Sequence, residues 1–195
     1  MSETRVGPGR HRSAAADAAI LGATLDVLRE RGYEALTVAA VIERSGVSSA
    51  TLYRRWPTKH ELVAAAIASL SPEAVAVDTG TLDGDVTAFV RHVARTVTAR
   101  GDIIDSLQGG KRDPDLVQAM RDKLLAPRLH AVEAILRRAV DRGELRAAPA
   151  PDTCLAFIVG PVYYRVGVLD EALTPAFLRE VVGHTLSGLS RWATA

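Results

Sequence analysis

The sequence predicts an all-α protein in two parts, a three-helix head of helix-turn-helix type and a larger helical body. Three observations carry this. Apolar residues recur at i, i+3 and i+4 along most of the chain, and no segment has a convincing period of two. The stretch Thr37 to Lys59, TVAAVIERSGVSSATLYRRWPTK, reads as two short helices about a glycine turn. Ser71 to Asp83, with Pro72, Gly80 and little periodicity, makes a natural boundary. The expected division is 1–12 as a disordered basic arm, 13–70 as the head and 71–195 as the body.

The arm holds Arg5, Arg10, His11 and Arg12 among glycines and a proline. Such a segment buries too little to fold, and its charge suits phosphates or a minor groove as readily as it suits an untethered terminus. Ser13 is the expected cap of the first helix, which should stop at Gly32. Its inward stripe is Ile20, Leu21, Thr24, Val27 and Leu28. Thr37 then caps a short helix with Val38, Val41 and Ile42 on one face. Gly46 accepts the left-handed conformation of the turn, Val47 plugs the corner, and Ser48 caps the second short helix. Pro57 ends that helix. Thr58 and Glu61 form a capping box for a further helix with Leu62, Val63, Ala66, Ile67 and Leu70 at helical spacing.

The second short helix has a mostly polar surface. Leu52 points inward, whereas Ser49, Ala50, Thr51, Tyr53, Arg54 and Arg55 occupy the rest. Hydroxyls reach base edges or phosphates, and arginine grips guanine O6 and N7 bidentately. Thr37, Tyr53 and Lys59 are suited to phosphates, Lys59 beside a positive helix end. The expected DNA-contacting set is therefore Thr37, Ser48, Ser49, Ala50, Thr51, Tyr53, Arg54, Arg55 and Lys59. An αα-corner with a solvated charged face has the same spacing, and many helix-turn-helices bind no DNA.

Residues 13–68 resemble the DNA-binding domain of the TetR family of bacterial transcriptional regulators. The matching residues are Gly32-Tyr33, Leu36-Thr37-Val38, Gly46-Val47-Ser48, Thr51-Leu52-Tyr53, and Lys59 with Leu62. Trp56 stands where the family most often has phenylalanine, and Ala50 where it often has glycine. Past residue 70, Arg142-Gly143-Glu144-Leu145 and Gly160-Pro161-Val162-Tyr163-Tyr164-Arg165 look like one C-terminal branch of the family. The resemblance implies a homodimer, which would sit on a palindromic double-stranded operator; the lack of an apolar span or secretory signal and the single cysteine make the cytoplasm the expected compartment.

Charge is unevenly placed. Residues 1–60 hold nine Lys/Arg against six Asp/Glu, and the remainder fifteen against seventeen. That suits a nucleic-acid head on a body that does not touch DNA. No run of 18 apolar residues suggests a membrane span, and the polar, basic start is unlike a secretory signal. The lone Cys154 excludes an internal disulfide and a cysteine metal cluster.

In the body, Val86, Phe89, Val90, Val93, Ala94 and Val97 form one stripe, and Ile103, Ile104 and Leu107 suggest a short helix before Gly109-Gly110. Asp113-Pro114 starts another helix, which Pro127 should kink or break. Leu129, Val132, Leu136 and Val140 resume the stripe up to Gly143. Asp152 caps the next helix, whose apolar residues fall on two opposed faces: Leu155, Ile158, Val159, Val162 and Val166, against Phe157, Pro161, Tyr164 and Val168. The last helix, begun by Thr174-Pro175, is similarly broad. A helix apolar on both sides must be covered on both. This predicts a homodimer closed by a four-helix bundle, with Phe157, Pro161, Tyr164, Val168, Val182, Leu186 and Leu189 at the interface.

There is no GxSxG, HExxH or P-loop, so no catalytic residue, metal or cofactor is expected. An all-helical enzyme with an appended head would need such a motif. Two readings of the body remain. It is a sensor of a small hydrophobic effector held by Phe89, His92, Val93, Leu107, Met120, Leu124 and Tyr163, or a dimerisation scaffold that needs no ligand. The other four histidines, His11, His60, His130 and His184, are expected at the surface or an interface.

Overall fold

The first helix, α1, spans Pro8–Ala35 in the computed structural model, which describes residues 8–70, 77–98, 103, 106–107 and 113–192. It begins at Pro8 rather than Ser13. Proline suits a first helical position because its missing amide would have no partner there. The expected arm therefore overlaps helical backbone from residue 8, and residues 1–7 lie outside the described residues. Gly32 interrupts the helix as expected, with φ 72° and ψ 171°. This break turns Tyr33 into the interior, where Leu36 is also buried.

The chain then forms α2 (Val38–Ser45), α3 (Ser49–Tyr53), α4 (Lys59–Ser69), α5 (Leu82–Thr98), α6 (Pro114–Met120), a π turn (Arg121–Leu125), α7 (Ala126–Asp141), α8 (Pro151–Gly167), α9 (Pro175–Leu189) and a 3-10 turn (Ser190–Trp192). The described residues contain no strand element, and none of their helices is long and apolar enough to cross a membrane.

Two compact units result, and they do not follow one cut in the sequence. Residues 1–69 and 102–120 form the first, and residues 70–101 and 121–195 the second. In the first, α1 packs on α2 and α4, and α6 packs on α4. Its core includes Ile20, Leu28, Leu36, Val41, Leu52, Leu62 and Ile103. Asp113 starts α6 as the sequence suggests. Its Oδ1 accepts from the amides of Asp115 and Leu116 at 3.0 and 3.2 Å. Asp113 Oδ2 accepts from the Tyr33 hydroxyl at 2.9 Å, which ties α6 to the end of α1.

In the second unit, α5 packs against α7, α8 and α9, and α8 against α7 and α9. Val86, Phe89, Val93, Val97, Leu136, Ile158 and Val162 lie in its core. The Arg142-Gly143-Glu144-Leu145 phrase is a structural clasp. Glu144 accepts from the Leu82 amide at 2.7 Å, satisfying an orphan donor at the start of α5. Nearby, fully buried Asp85 accepts from the Thr79 amide and hydroxyl at 2.6 and 2.8 Å and faces Arg138 and Arg142.

One of three local expectations is corrected. The helix does break ahead of Pro127, as expected: α6 gives way to the π turn, and Pro127 stands in the first turn of the next helix, α7. Asp152 is not the cap of α8, which begins at Pro151 behind Ala150; it lies inside the first turn instead. Of the suggested helix at Ile103, Ile104 and Leu107, Ile103 and Ser106 are helical, Leu107 is a turn, and Ile104, Gly109 and Gly110 lie outside the described residues.

Candidate nucleic-acid interface

The α2–turn–α3 segment is set by its caps. Thr37 Oγ1 accepts from the Ala40 amide at 3.2 Å. Gly46 has φ 64°, the left-handed conformation that lets its N–H return to the Ile42 carbonyl at 3.0 Å. Ser48 Oγ lies 3.4 Å from the Thr51 amide, which donates to it, and 3.0 Å from the Thr51 hydroxyl. Val41 and Leu52 are fully buried beneath the turn. Each such side chain contributes about 1.5–3 kcal/mol of apolar burial.

Ion pairs hold this segment to α1. Arg44 grips Glu30 through both nitrogens, at 2.6 and 2.7 Å. That bidentate contact holds the Glu30 carboxyl below, and the Arg44 guanidinium above, their ordinary values. Arg55 pairs with Asp17. Thr58 Oγ1 accepts from the Glu61 amide at 3.2 Å and opens α4. Lys59 lies 4.3 Å from the Tyr33 ring centroid and donates to the Glu34 carbonyl at 3.4 Å. Burial pushes its ammonium below the usual value.

The nine expected contact residues thus divide. Thr37, Ser48, Ser49, Ala50, Tyr53 and Arg54 are exposed, Tyr53 at 49%. Thr51, Arg55 and Lys59 are half-buried, each engaged with a neighbour. The sequence reading missed Asp17 and Glu30, whose partners are distant in the chain and leave no local signal.

His60 is not the freely exposed residue expected. Its Nδ1 lies 2.6 Å from the Tyr33 hydroxyl and 3.4 Å from Asp113 Oδ2. His60, Asp113 and Asp115 bring ligand-type atoms within 4.8 Å of one another. The Tyr33 hydroxyl and the amides of α6 already use much of that capacity, so the cluster serves as a hydrogen-bonded junction.

The candidate effector residues do not gather at one described cavity. Phe89 and Val93 are fully buried in the second unit, His92 and Leu124 nearly so, and Tyr163 is half-buried. Leu107 and Met120 belong to the first unit and are half-buried. A cleft of about 620 Å³ in the second unit runs between α5 and α9 and is lined instead by Val90, Arg91, Leu178, Val182 and Leu186. Another, of about 380 Å³, is lined by Cys154, Phe157, His184 and Leu189 among others. Of the candidate interface residues, Phe157, Pro161, Tyr164 and Val168 are exposed, Val182 and Leu186 half-buried, and Leu189 buried.

A capped helix-turn-helix with an exposed polar recognition helix, joined to an all-helical body, defines a DNA-binding transcriptional regulator rather than an enzyme. Known proteins agree. Residues 20–66 match the family described as bacterial regulatory proteins, tetR family, and residues 76–185 match the tetracyclin repressor-like C-terminal domain. The chain belongs to the TetR family. It is 30% identical over 184 residues, 93% of each chain, to the uncharacterized HTH-type transcriptional regulator YdeS of Bacillus subtilis (strain 168). It is 35% identical over 145 residues, 71% of this chain and 73% of the relative, to the DNA-binding transcriptional repressor TetR of Mycobacteroides abscessus. The crystal structure of the TetR family transcription regulator SCO0332 superposes with a TM-score of 0.66 at 30% identity, covering 89% of this chain and 97% of that one.

Proposed function

We propose that the protein is a repressor that binds a palindromic operator as a homodimer in the cytoplasm and is released by a small hydrophobic effector. The observation that carries the dimer is the outer face of α8. Phe157, Tyr164 and Val168 are 70%, 57% and 67% exposed, and their spacing, with exposed Pro161, puts them on one stripe. An apolar stripe of this kind marks an interaction surface. Two-fold pairing presents two copies of α3 to half-sites about 34–36 Å apart. The repressor reading draws on the name of the 35%-identical relative. Ser49, Ala50 and Arg54 would meet base edges, with Thr51 and Arg55 beside them, and Thr37, Ser48, Tyr53 and Lys59 would meet phosphates. The effector reading keeps Phe89, His92, Val93, Leu124 and Tyr163 of the second unit as its candidates.

Selection of bound fragments from a random DNA pool tests this reading, followed by transcription from a promoter carrying the selected site. The expected result is a palindrome protected by two subunits and a lowered transcript level. Recovery of only non-palindromic DNA by a monomer would sink the proposal.

A further inference from the structure

The cleft of about 620 Å³ between α5 and α9 lies within the second unit and has the size of a small-molecule pocket, roughly 300–1,000 Å³. From α5 it takes Asp83, Thr87, Val90 and Arg91, which stand at i, i+4, i+7 and i+8 and so share one face. From α9 it takes Leu178, Arg179, Val182, Gly183 and Leu186. The apolar part of the lining is thus aliphatic, and each helix adds one exposed arginine. Asp83, the one carboxylate among the described lining residues, accepts from the Thr87 hydroxyl at 3.4 Å. Two positive charges against one negative favour an anion.

Gly183 adds to the opening. Glycine inside a helix is less stable than alanine, because it loses more backbone freedom on folding. Here that freedom is not used, since Gly183 lies within α9 and has no positive φ. Nor is it needed for close packing: a Cβ added at Gly183 would meet nothing within 4 Å. What the missing side chain provides is space in the cleft.

The cleft also stays clear of the apolar stripe of α8. At about 100° per residue, Val182, Gly183 and Leu186 fall on one flank of α9 and His184 and Gly188 on the other. Buried Val181, Thr185 and Leu189 lie between them. His184 and Gly188 share the other cleft with Phe157 of α8. A second copy seated on Phe157 and Tyr164 would therefore approach the His184 flank and leave the α5–α9 cleft open.

We propose that the α5–α9 cleft binds an organic anion whose aliphatic body lies along Val90, Leu178, Val182 and Leu186 and whose head is held by Arg91 and Arg179. A guanidinium grips a carboxylate through paired hydrogen bonds and supplies its counter-charge. The site lies apart from the fully buried Phe89 and Val93 of the effector reading, and it stands whether or not its ligand releases DNA.

The test uses the full chain and three probes of equal length, decanoate, decanol and decylamine, each below its micellar concentration. Calorimetric titration should show decanoate binding more tightly than decanol, and decylamine more weakly than either. Gly183→Leu puts a side chain into the open space and should abolish decanoate binding. It should melt no lower than the wild type, because leucine is the better helix former and its Cβ meets no neighbour. Arg91→Gln combined with Arg179→Gln should bind decanoate roughly 10- to 100-fold more weakly and decanol as the wild type does. Both arginines are exposed, so this variant should keep its fold and reads the site independently of Gly183. Decanoate binding by either variant equal to that of the wild type would overturn the proposal. So would decylamine bound as tightly as decanoate, or a wild type that binds no decanoate.

Discussion

The guanidinium of Arg55 is ion-paired with the carboxylate of Asp17 on α1, whereas its neighbour Arg54 projects from the end of α3 into solvent. Adjacent arginines that look alike in sequence therefore have different work. Arg54→Ala should cost about 1–3 kcal/mol of operator affinity and relax preference at the base it meets. Arg55→Ala should lower the melting temperature and change base preference less. Fluorescence anisotropy against operator and single-base variants, alongside thermal melts, checks the pair; a reversed order would reassign them.

Lys59 meets the Tyr33 ring and the Glu34 carbonyl, so its ammonium is held at the start of α4. Lys59→Ala should weaken every DNA sequence alike and reduce the salt slope by about one unit. Titrations at several salt concentrations measure that slope. A selective loss for one sequence would point to a base contact instead.

Asp85 gives the second unit a sign-defined response to acid. Desolvation alone would raise its carboxyl, but the Thr79 amide and hydroxyl, with Arg138 and Arg142, outweigh it and hold it below the ordinary value. Its stabilisation is fully present above the unfolded-state value of about 3.9 and is lost as pH falls through the lower folded-state value. Asp85→Asn should cost about 1–3 kcal/mol near neutrality and flatten that acid dependence. Urea unfolding from pH 7 downward is the measurement.

Tyr33→Phe should destabilise the first unit by about 1–2 kcal/mol, because it removes the hydroxyl shared by His60 and Asp113. In the native protein burial, with Asp113 nearby, pushes that phenol well above its usual value, so it stays protonated through the alkaline range. Hydrogen exchange at the amides of α6 reads the loss directly. Unchanged protection there would mean that α6 holds without the hydroxyl.

Phe157→Asp combined with Tyr164→Asp should give a monomer, since a charge desolvated without a partner is costly. Both side chains are exposed in the single chain, so the variant should keep its fold. Sedimentation velocity with circular dichroism tests both halves of the statement. A dimer that survives the double substitution moves the interface away from α8.

What was legible in the sequence was whatever is settled within one turn of helix. Thr37, Gly46, Ser48, Asp113 and Thr174 act as end signals because caps bond to backbone groups two to four residues away, amides at the helix starts and the Ile42 carbonyl at Gly46. The two faces of α8 were legible for the same reason. Long-range partners were not. Nothing near Arg55 points to Asp17, and His60 looked exposed because Tyr33 and Asp113 are far from it in the chain. Leu189 shares a stripe with Leu186 in sequence, yet the first is buried and the second half-buried beside the α5–α9 cleft.

The link between Tyr33 and Asp113 also has a consequence in time. The first unit takes residues 102–120 from beyond α5, so a nascent chain that has just delivered α4 still lacks α6. At about 5–20 residues per second, translation adds that segment only after a delay of several seconds. During that interval, α1 and α4 leave open the surface that α6 will cover. A ribosome stalled soon after α4 would hold a head that has its recognition helix but not its closing helix, and one stalled beyond α6 would hold a finished head. Protease sensitivity of chains arrested at successive lengths should therefore fall in a step as α6 emerges.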